Sequence, residues 1–367
     1  MLMNHATYSK FKETTFKGRY VVNEQVGDFL ETLNSDFKVE IVGYSVEQRL
    51  IRAVTMGTGT QKVLMWSQMH GNESTTTKAI LDLLKLLQSD NPLAVSILKN
   101  CTLKIIPILN PDGAEAYTRV NANEVDLNRD AQERSQPESK VLRDVYESYQ
   151  PDFCFNMHDQ RTIFNVGNSS NPATISFLAP SHDAERTISN SRAISMQLIA
   201  AMNTELQELI PGQIGRYDDG FNANCVGDTF QMLNTPTVLF EAGHFPEDYE
   251  REKTREYIFY ALLKALLCIG ENEINSYPQQ DYFAIPENKK LFFDVIIKNA
   301  HIIDSSYTKD IAILYAEVLE EQKIIFQARI QKAGCTEGYF GHSTYDCANE
   351  NDFSALKKQS FWNVLQS

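Results

Sequence analysis

Val63-Leu64-Met65-Trp66-Ser67-Gln68-Met69-His70-Gly71-Asn72-Glu73 is the stretch from which the fold can be read. It opens on an unbroken apolar run, the pattern of a buried strand, and its polar second half reads as the loop at that strand's carboxyl end. His70 and Glu73 are both competent zinc ligands, one through an imidazole nitrogen and one through a carboxylate oxygen. Their spacing of three brings both side chains to one point if the chain turns into a helix after Gly71. A lone His-x-x-Glu pair is equally well explained as a polar surface loop, so the metal reading depends on ligands from elsewhere.

Working outward, Phe37 to Tyr44 alternates and predicts a strand, with a partner from Arg49 to Met56. Residues 1–36 are polar and partly helix-prone, and read as an N-terminal cover. After Glu73, Ser74-Thr75-Thr76-Thr77 supplies capping residues for a leucine-rich helix over 78–88. The apolar run Leu103 to Leu109 stops at Asn110-Pro111-Asp112-Gly113, a turn sequence. A helix over 137–149 precedes a strand from Asp152 to Met157, and that strand ends at His158. A strand near Thr174 to Ala179 and a long helix over 183–210 follow. Residues 213–224, rich in Gly, Asp and Asn, read as a loop. A short helix then runs from Val226, and the strand Thr237 to Phe240 ends at Glu241 before a helix over 249–269. Strands alternating with helices, with polar residues just past the strand ends, predict an α/β sheet whose site lies at its carboxyl edge. This catalytic unit is placed at 37–275. Beyond about 280 the period changes to strands at 291–297, 311–318 and 323–330, a small β-rich C-terminal domain over 280–367.

The chain has 367 residues, 43% of them hydrophobic, which suffices for a sizeable core. A net charge of -14 argues against nucleic acid as the main partner, because phosphate binding wants a basic surface. The cysteines are scattered, as expected of reduced thiols rather than a disulfide framework. No stretch reaches the ~18 apolar residues of a membrane span, and residues 1–8 lack a signal-peptide pattern. The expectation is a cytoplasmic protein without a membrane partner. His301, Cys335, His342 and Cys347 match no zinc spacing.

His158 supplies the missing third ligand. Two histidines and a glutamate leave the fourth position of a catalytic zinc open for water. A further carboxylate must then take the proton from that water, and Glu241, closing its own apolar strand, fits the role. His244, three residues on, is a secondary candidate for the same neighbourhood.

Over roughly residues 38–270 these motifs resemble, in order and spacing, the zinc metallocarboxypeptidases of the carboxypeptidase A type. The residues that carry the likeness are Met69-His70-Gly71-Asn72-Glu73, Asn110-Pro111-Asp112-Gly113, Asp126-Leu127-Asn128-Arg129, His158 and Glu241. The resemblance implies a mixed central sheet flanked by helices on both faces. It implies one zinc ion held by His70, Glu73 and His158, with Asp126 on the far ring nitrogen of His70. Asn128 and Arg129 would grip the substrate's terminal carboxylate, Arg119 would polarise the scissile carbonyl, and Glu241 would be the general base. The substrate would be a peptide, or an acyl-amino acid, with a free carboxylate. A deacylase of N-acyl amino acids, of the aspartoacylase or succinylglutamate desuccinylase type, retains the same zinc ligands and glutamate, and an inactive binding module on this fold is the reading of another class. The sequence departs from the family in two places. Tyr217 is the single tyrosine between Gly215 and Glu241 and does not align with the family's mobile tyrosine. Asp159-Gln160-Arg161 follows the third ligand, where Arg161 would favour an acidic C-terminal residue or acyl group.

Overall fold

The computed structural model describes residues 3–366. Strands β1 (Lys38–Tyr44), β2 (Leu50–Met56), β3 (Gln61–Trp66), β4 (Cys101–Ile106) and β5 (Phe153–Asp159) come first. They are followed by β6 (Asn165–Val166), β7 (Ile175–Leu178), β8 (Ile214–Arg216) and β9 (Thr237–Ala242). All but β6 form one eight-stranded sheet in the order β1-β2-β4-β3-β5-β9-β7-β8. Its centre is parallel, β3 pairing with β4 and β5, and β5 with β9. Antiparallel pairs flank it at β1–β2, β2–β4 and β7–β9. This is the mixed central sheet expected.

A parallel centre must be covered on both faces, which is why β3 reads as a continuous apolar run. Side chains of a strand alternate between faces. Val63 and Met65 therefore join the larger core, under the helices Thr75–Leu87, Asn190–Gln207 and Glu252–Gly270. Leu64 and Trp66 join the smaller one, with Val141, Leu142 and Val145 of the helix Pro137–Tyr149. Truncating fully buried Trp66 would cost about 3–5 kcal/mol. The strand that delivers His70 is thus among the most firmly held.

Two local expectations are corrected. The helix after His70 begins at Thr75, so a turn, closed by Glu73 N–H donating to His70 O at 3.1 Å, brings the two ligands together. Residues 213–224 are not all loop, because Ile214–Arg216 adds to the sheet edge beside β7. The N-terminal segment packs on the domain, with Tyr8 donating to buried Asp82 at 2.8 Å.

The C-terminal region adds β10 (Asn288–Lys289), β11 (Phe292–Lys298), β12 (Asp310–Glu320), β13 (Lys323–Gly334) and β14 (Phe340–Asp346). The last four form a sheet in the order β13-β12-β11-β14. Its core includes Val295, Ile297, Ile311, Ile313 and Leu356, the last from the helix Glu350–Leu356. The sheet is fastened to the segment that follows β5 and to the N-terminal segment. β10 pairs with β6, the His342 ring contacts Thr162 O at 2.8 Å, and Arg19 meets Glu317 at 3.0 Å. Among the described residues no helix is long and apolar enough to cross a membrane.

Candidate metal centre and substrate cleft

The three predicted ligands come from neighbouring parallel strands, His70 and Glu73 just past β3 and His158 within β5. Among the described residues they form a single group able to hold a metal ion, with ligand atoms within 4.8 Å of one another. Nδ1 of His70 lies 2.9 Å from Glu73 Oε1, and Nδ1 of His158 lies 2.8 Å from Glu73 Oε2. The two Nδ1 atoms face each other at 3.0 Å. Two imidazole nitrogens and both oxygens of one carboxylate converging at such range suit a cation that takes nitrogen and oxygen donors, and zinc is such a cation. His244 is not part of this group. Its ring packs against Tyr249 and His342, with centroids 4.6 and 4.1 Å away.

The surrounding sequence holds this geometry. Gly71 is obligatory because a Cβ there would lie 1.9 Å from the backbone of Gly113. Asn110 ties the same corner, its Oδ1 accepting from Gly113 N and its Nδ2 donating to Met69 O. Asp159, next to His158, accepts from Thr75 N and Thr76 N at 2.9 and 3.3 Å. It caps a helix whose own N-cap residue, Ser74, makes no side-chain capping bond because its hydroxyl donates to Arg19 O instead. Buried Arg251 donates to Ala242 O and Gln160 O, both at 2.6 Å, and so fastens the segments just after Glu241 and His158.

Asp126 accepts at Oδ1 from His70 Nε2 at 2.9 Å, which fixes that ring's tautomer and leaves Nδ1 as the donor atom for a metal. Burial disfavours charge on His70, but Glu73 and Asp126 outweigh it and raise its pKa. At His158 burial outweighs the Glu73 carboxylate and lowers the pKa. Glu73 is held well below the usual carboxylate range, because both histidines outweigh its burial.

Glu241 lies beside His158 in the sheet register and lines the same cavity of about 370 Å³. Its Oε2 is buried without a hydrogen-bond partner. Burial, then the charges of Glu73 and Asp159, push its pKa well above the ordinary value. Arg119 is half-exposed, 3.3 Å from Glu73 and 3.1 Å from Asp126. Asn128 and exposed Arg129 line the cavity. Asn128 Oδ1 accepts from Val226 N at 3.1 Å, which leaves its amide NH₂ for a ligand. Arg161, exposed, lines this cavity and a second one beside it.

Two cavity residues go beyond the sequence expectations. Tyr217 follows β8 directly, and its ring packs on Phe164 at 5.1 Å within the same cavity as Glu241. Asp228, in the short helix Val226–Met232, lines the cavity too, and burial raises its pKa to about 6.

A profile described as zinc carboxypeptidase matches residues 24–227. The chain belongs to the zinc carboxypeptidase family. It is 26% identical to Carboxypeptidase 2 of Trichophyton rubrum over 115 residues, which cover 31% of this chain and 21% of that protein. The chain thus matches only about a fifth of that relative's length, 21%. A metallo-carboxypeptidase from Burkholderia cenocepacia shares the fold, with a TM-score of 0.55 and 19% identity over 68% of this chain and 69% of that one. A Pseudomonas aeruginosa metallo-carboxypeptidase, solved in complex with (2-guanidinoethylmercapto)succinic acid, gives a TM-score of 0.52 and 16% identity over 69% of each chain. Within this zinc carboxypeptidase fold the C-terminal sheet of residues 292–346 lies outside the matched profile.

Proposed function

We propose that this protein is a zinc-dependent carboxypeptidase that hydrolyses the C-terminal peptide bond of its substrate, with His70, Glu73 and His158 as the ligands of one zinc ion. The observation that carries the reading is Glu241, whose buried Oε2 has no hydrogen-bond partner, lining one cavity together with the three-ligand group and with Asn128 and Arg129. Zinc, when bound, supplies a lowered water pKa and a polarised carbonyl.

The chain's own residues do the rest. Arg129 offers a planar fork to the substrate's terminal carboxylate, and the Asn128 NH₂ adds a donor. This fixes how far the peptide enters, so that the scissile carbonyl stops beside the ligand group. Glu241 accepts the proton of the attacking water and passes it to the leaving amine. Arg119, within reach of Glu73, is placed to donate to the developing oxyanion. Tyr217 forms a wall over the residue being released.

The released residue also meets Asp228. Mostly ionised above about pH 6, Asp228 favours a basic side chain there and disfavours an acidic one. The ligand named for the Pseudomonas protein joins a guanidino group to a diacid, which fits that polarity. The test is product analysis with zinc-loaded protein and a chelator control, on peptides ending in Lys, Phe and Glu and on N-acyl amino acids. Release of the C-terminal residue from peptides supports the reading. Turnover of acyl-amino acids alone would assign the site to a deacylase instead.

A further inference from the structure

We infer that the cleft between the catalytic domain and the C-terminal sheet is the subsite for the part of the substrate N-terminal to the scissile bond, and that it takes an acidic side chain or acyl carboxylate. The inference rests on the carboxypeptidase reading above.

A second cavity of about 350 Å³ shares Glu73, Arg119 and Arg161 with the metal cavity. It excludes Asn128, Arg129 and Glu241, which line only the first. With its terminal carboxylate held at Arg129 and its scissile bond at the ligand group, a peptide continues into the cavity that shares Glu73 with the first. Its outer wall is not catalytic-domain structure: it is Leu314 to Glu317 of β12 and Phe326 of β13. The C-terminal sheet therefore completes the cleft.

The wall is preorganised. Buried Asp294 accepts from Tyr249 OH at 2.9 Å and from Tyr315 N at 2.8 Å. Tyr249 in turn packs against Tyr315 and Phe326, with ring centroids at 5.2 and 5.3 Å. Glu317 is pinned between Arg19 and the Tyr117 hydroxyl. Asn72, which lines this cavity, has a buried Oδ1 with no hydrogen-bond partner. A buried acceptor facing a cleft calls for a donor from what enters it, and the backbone N–H of an extended peptide is one.

Charge chooses the occupant. The buried cations Arg19 and Arg251 lie 3.9 and 3.8 Å from Asp159, and Arg19 also meets Glu317. Asp294 is committed to its two donors. Arg161, which is exposed and lines both cavities, has no ion-pair or hydrogen-bond partner among the described residues. Of the charged groups lining the second cavity, Arg161 is thus the one left without a partner among the described residues, so the charge free to meet a ligand there is positive, whereas Asp228 lines only the first cavity. An acidic group is accommodated before the scissile bond rather than after it.

The test uses full-length, zinc-loaded protein and N-acetyl-X-Lys peptides with X as Glu, Gln or Lys. Equilibrium binding is measured by calorimetry on the Glu241→Gln protein, and kcat/KM on the wild type. Glu at X should bind about tenfold more tightly than Gln, with Lys weakest, as a charge-assisted bond predicts. Arg161→Gln should erase the Glu–Gln difference and Arg161→Lys should restore part of it. Phe326→Ala should weaken N-acetyl-Glu-Lys about fivefold more than N-acetyl-Lys, whose acyl group is too short to reach the sheet. Equal binding of Glu and Gln, a preference that survives Arg161→Gln, or equal weakening of long and short ligands by Phe326→Ala would overturn the inference. Turnover of peptides without any preference at X removes the subsite alone. Absence of both binding and turnover removes the carboxypeptidase reading with it.

Discussion

Glu241 is the register partner of His158 on adjacent parallel strands, so its carboxylate, with Oε2 buried, and the buried ring stand side by side on one face of the sheet. Burial, then the charges of Glu73 and Asp159, raise its pKa, and the charges of Arg119 and Arg251 offset them only in part. A group whose folded pKa is raised keeps its proton above the pH at which the unfolded chain loses it. The metal-free protein should therefore lose stability as pH rises from the ordinary carboxylate range toward the folded value. Glu241→Gln should flatten that slope and melt higher than wild type at pH 8 when both are metal-free. The same variant should bind zinc stoichiometrically and lose roughly 10²–10⁴-fold in kcat, the usual contribution of a positioned acid–base group. Melting curves at pH 5 and 8, metal analysis and initial rates check all three, and a near-wild-type rate would sink the mechanism.

Asp126 acts through the ring it holds. Its bond to His70 Nε2 fixes the tautomer that leaves Nδ1 free for metal. Asp126→Ala should weaken zinc binding about 10–100-fold, as loss of such a partner typically does. Competition against a chelator of known affinity measures this. Chelation of the wild type should also lower its melting temperature, because a ligand of the folded state alone stabilises by mass action. Unchanged zinc affinity in Asp126→Ala would assign Asp126 to holding Arg119 instead.

The parts of this arrangement that were legible in the sequence share one property. His70, His158 and Glu241 are polar residues at or just beyond the ends of apolar runs, and a parallel sheet aligns those ends. The β-rich C-terminal region showed in runs such as Ile311 to Val318, but β14, Phe340-Gly341-His342-Ser343-Thr344-Tyr345-Asp346, has no apolar run and escaped. Strand β8 escaped because three residues carry no period, and with it went the placement of Tyr217. Asp159 showed in the sequence only as a departure from the family beside Arg161. Its use as the cap of a helix 84 residues earlier is a tertiary fact that no local pattern encodes. The cleft walled by β12 and β13 is likewise a property of how two domains meet.

Arg129 should govern binding rather than the chemical step. It is exposed in the cavity and its Nη1 donates only to Asn128 O, so its fork remains available. Arg129→Gln should raise KM by about 10–100-fold, the worth of a charge-assisted bond, with a smaller effect on kcat. Asn128→Ala should cost more than its own bond, because Val226 N loses its acceptor at the start of the helix that carries Asp228. Steady-state kinetics of both variants separate the two cases. A loss confined to kcat in Arg129→Gln would place the carboxylate elsewhere.

Asp228 should make specificity depend on pH. Its pKa of about 6 is raised chiefly by burial, against a hydrogen bond from Asn222 N at 3.1 Å. Ionised above that value, it attracts a basic side chain; protonated below it, it offers none of that attraction. The ratio of kcat/KM for peptides ending in Lys over Ala should therefore fall about tenfold as pH drops from 7.5 to 5, while Asp228→Asn should show a low, flat ratio throughout. Taking the ratio of two substrates cancels every group that serves both, Glu241 included. The folded pKa lies above the unfolded one, so ionising Asp228 costs stability as pH rises through this range. Asp228→Asn should for that reason be at least as stable as wild type at pH 7.5, and a ratio independent of pH in the wild type would remove Asp228 from the pocket that reads the released residue.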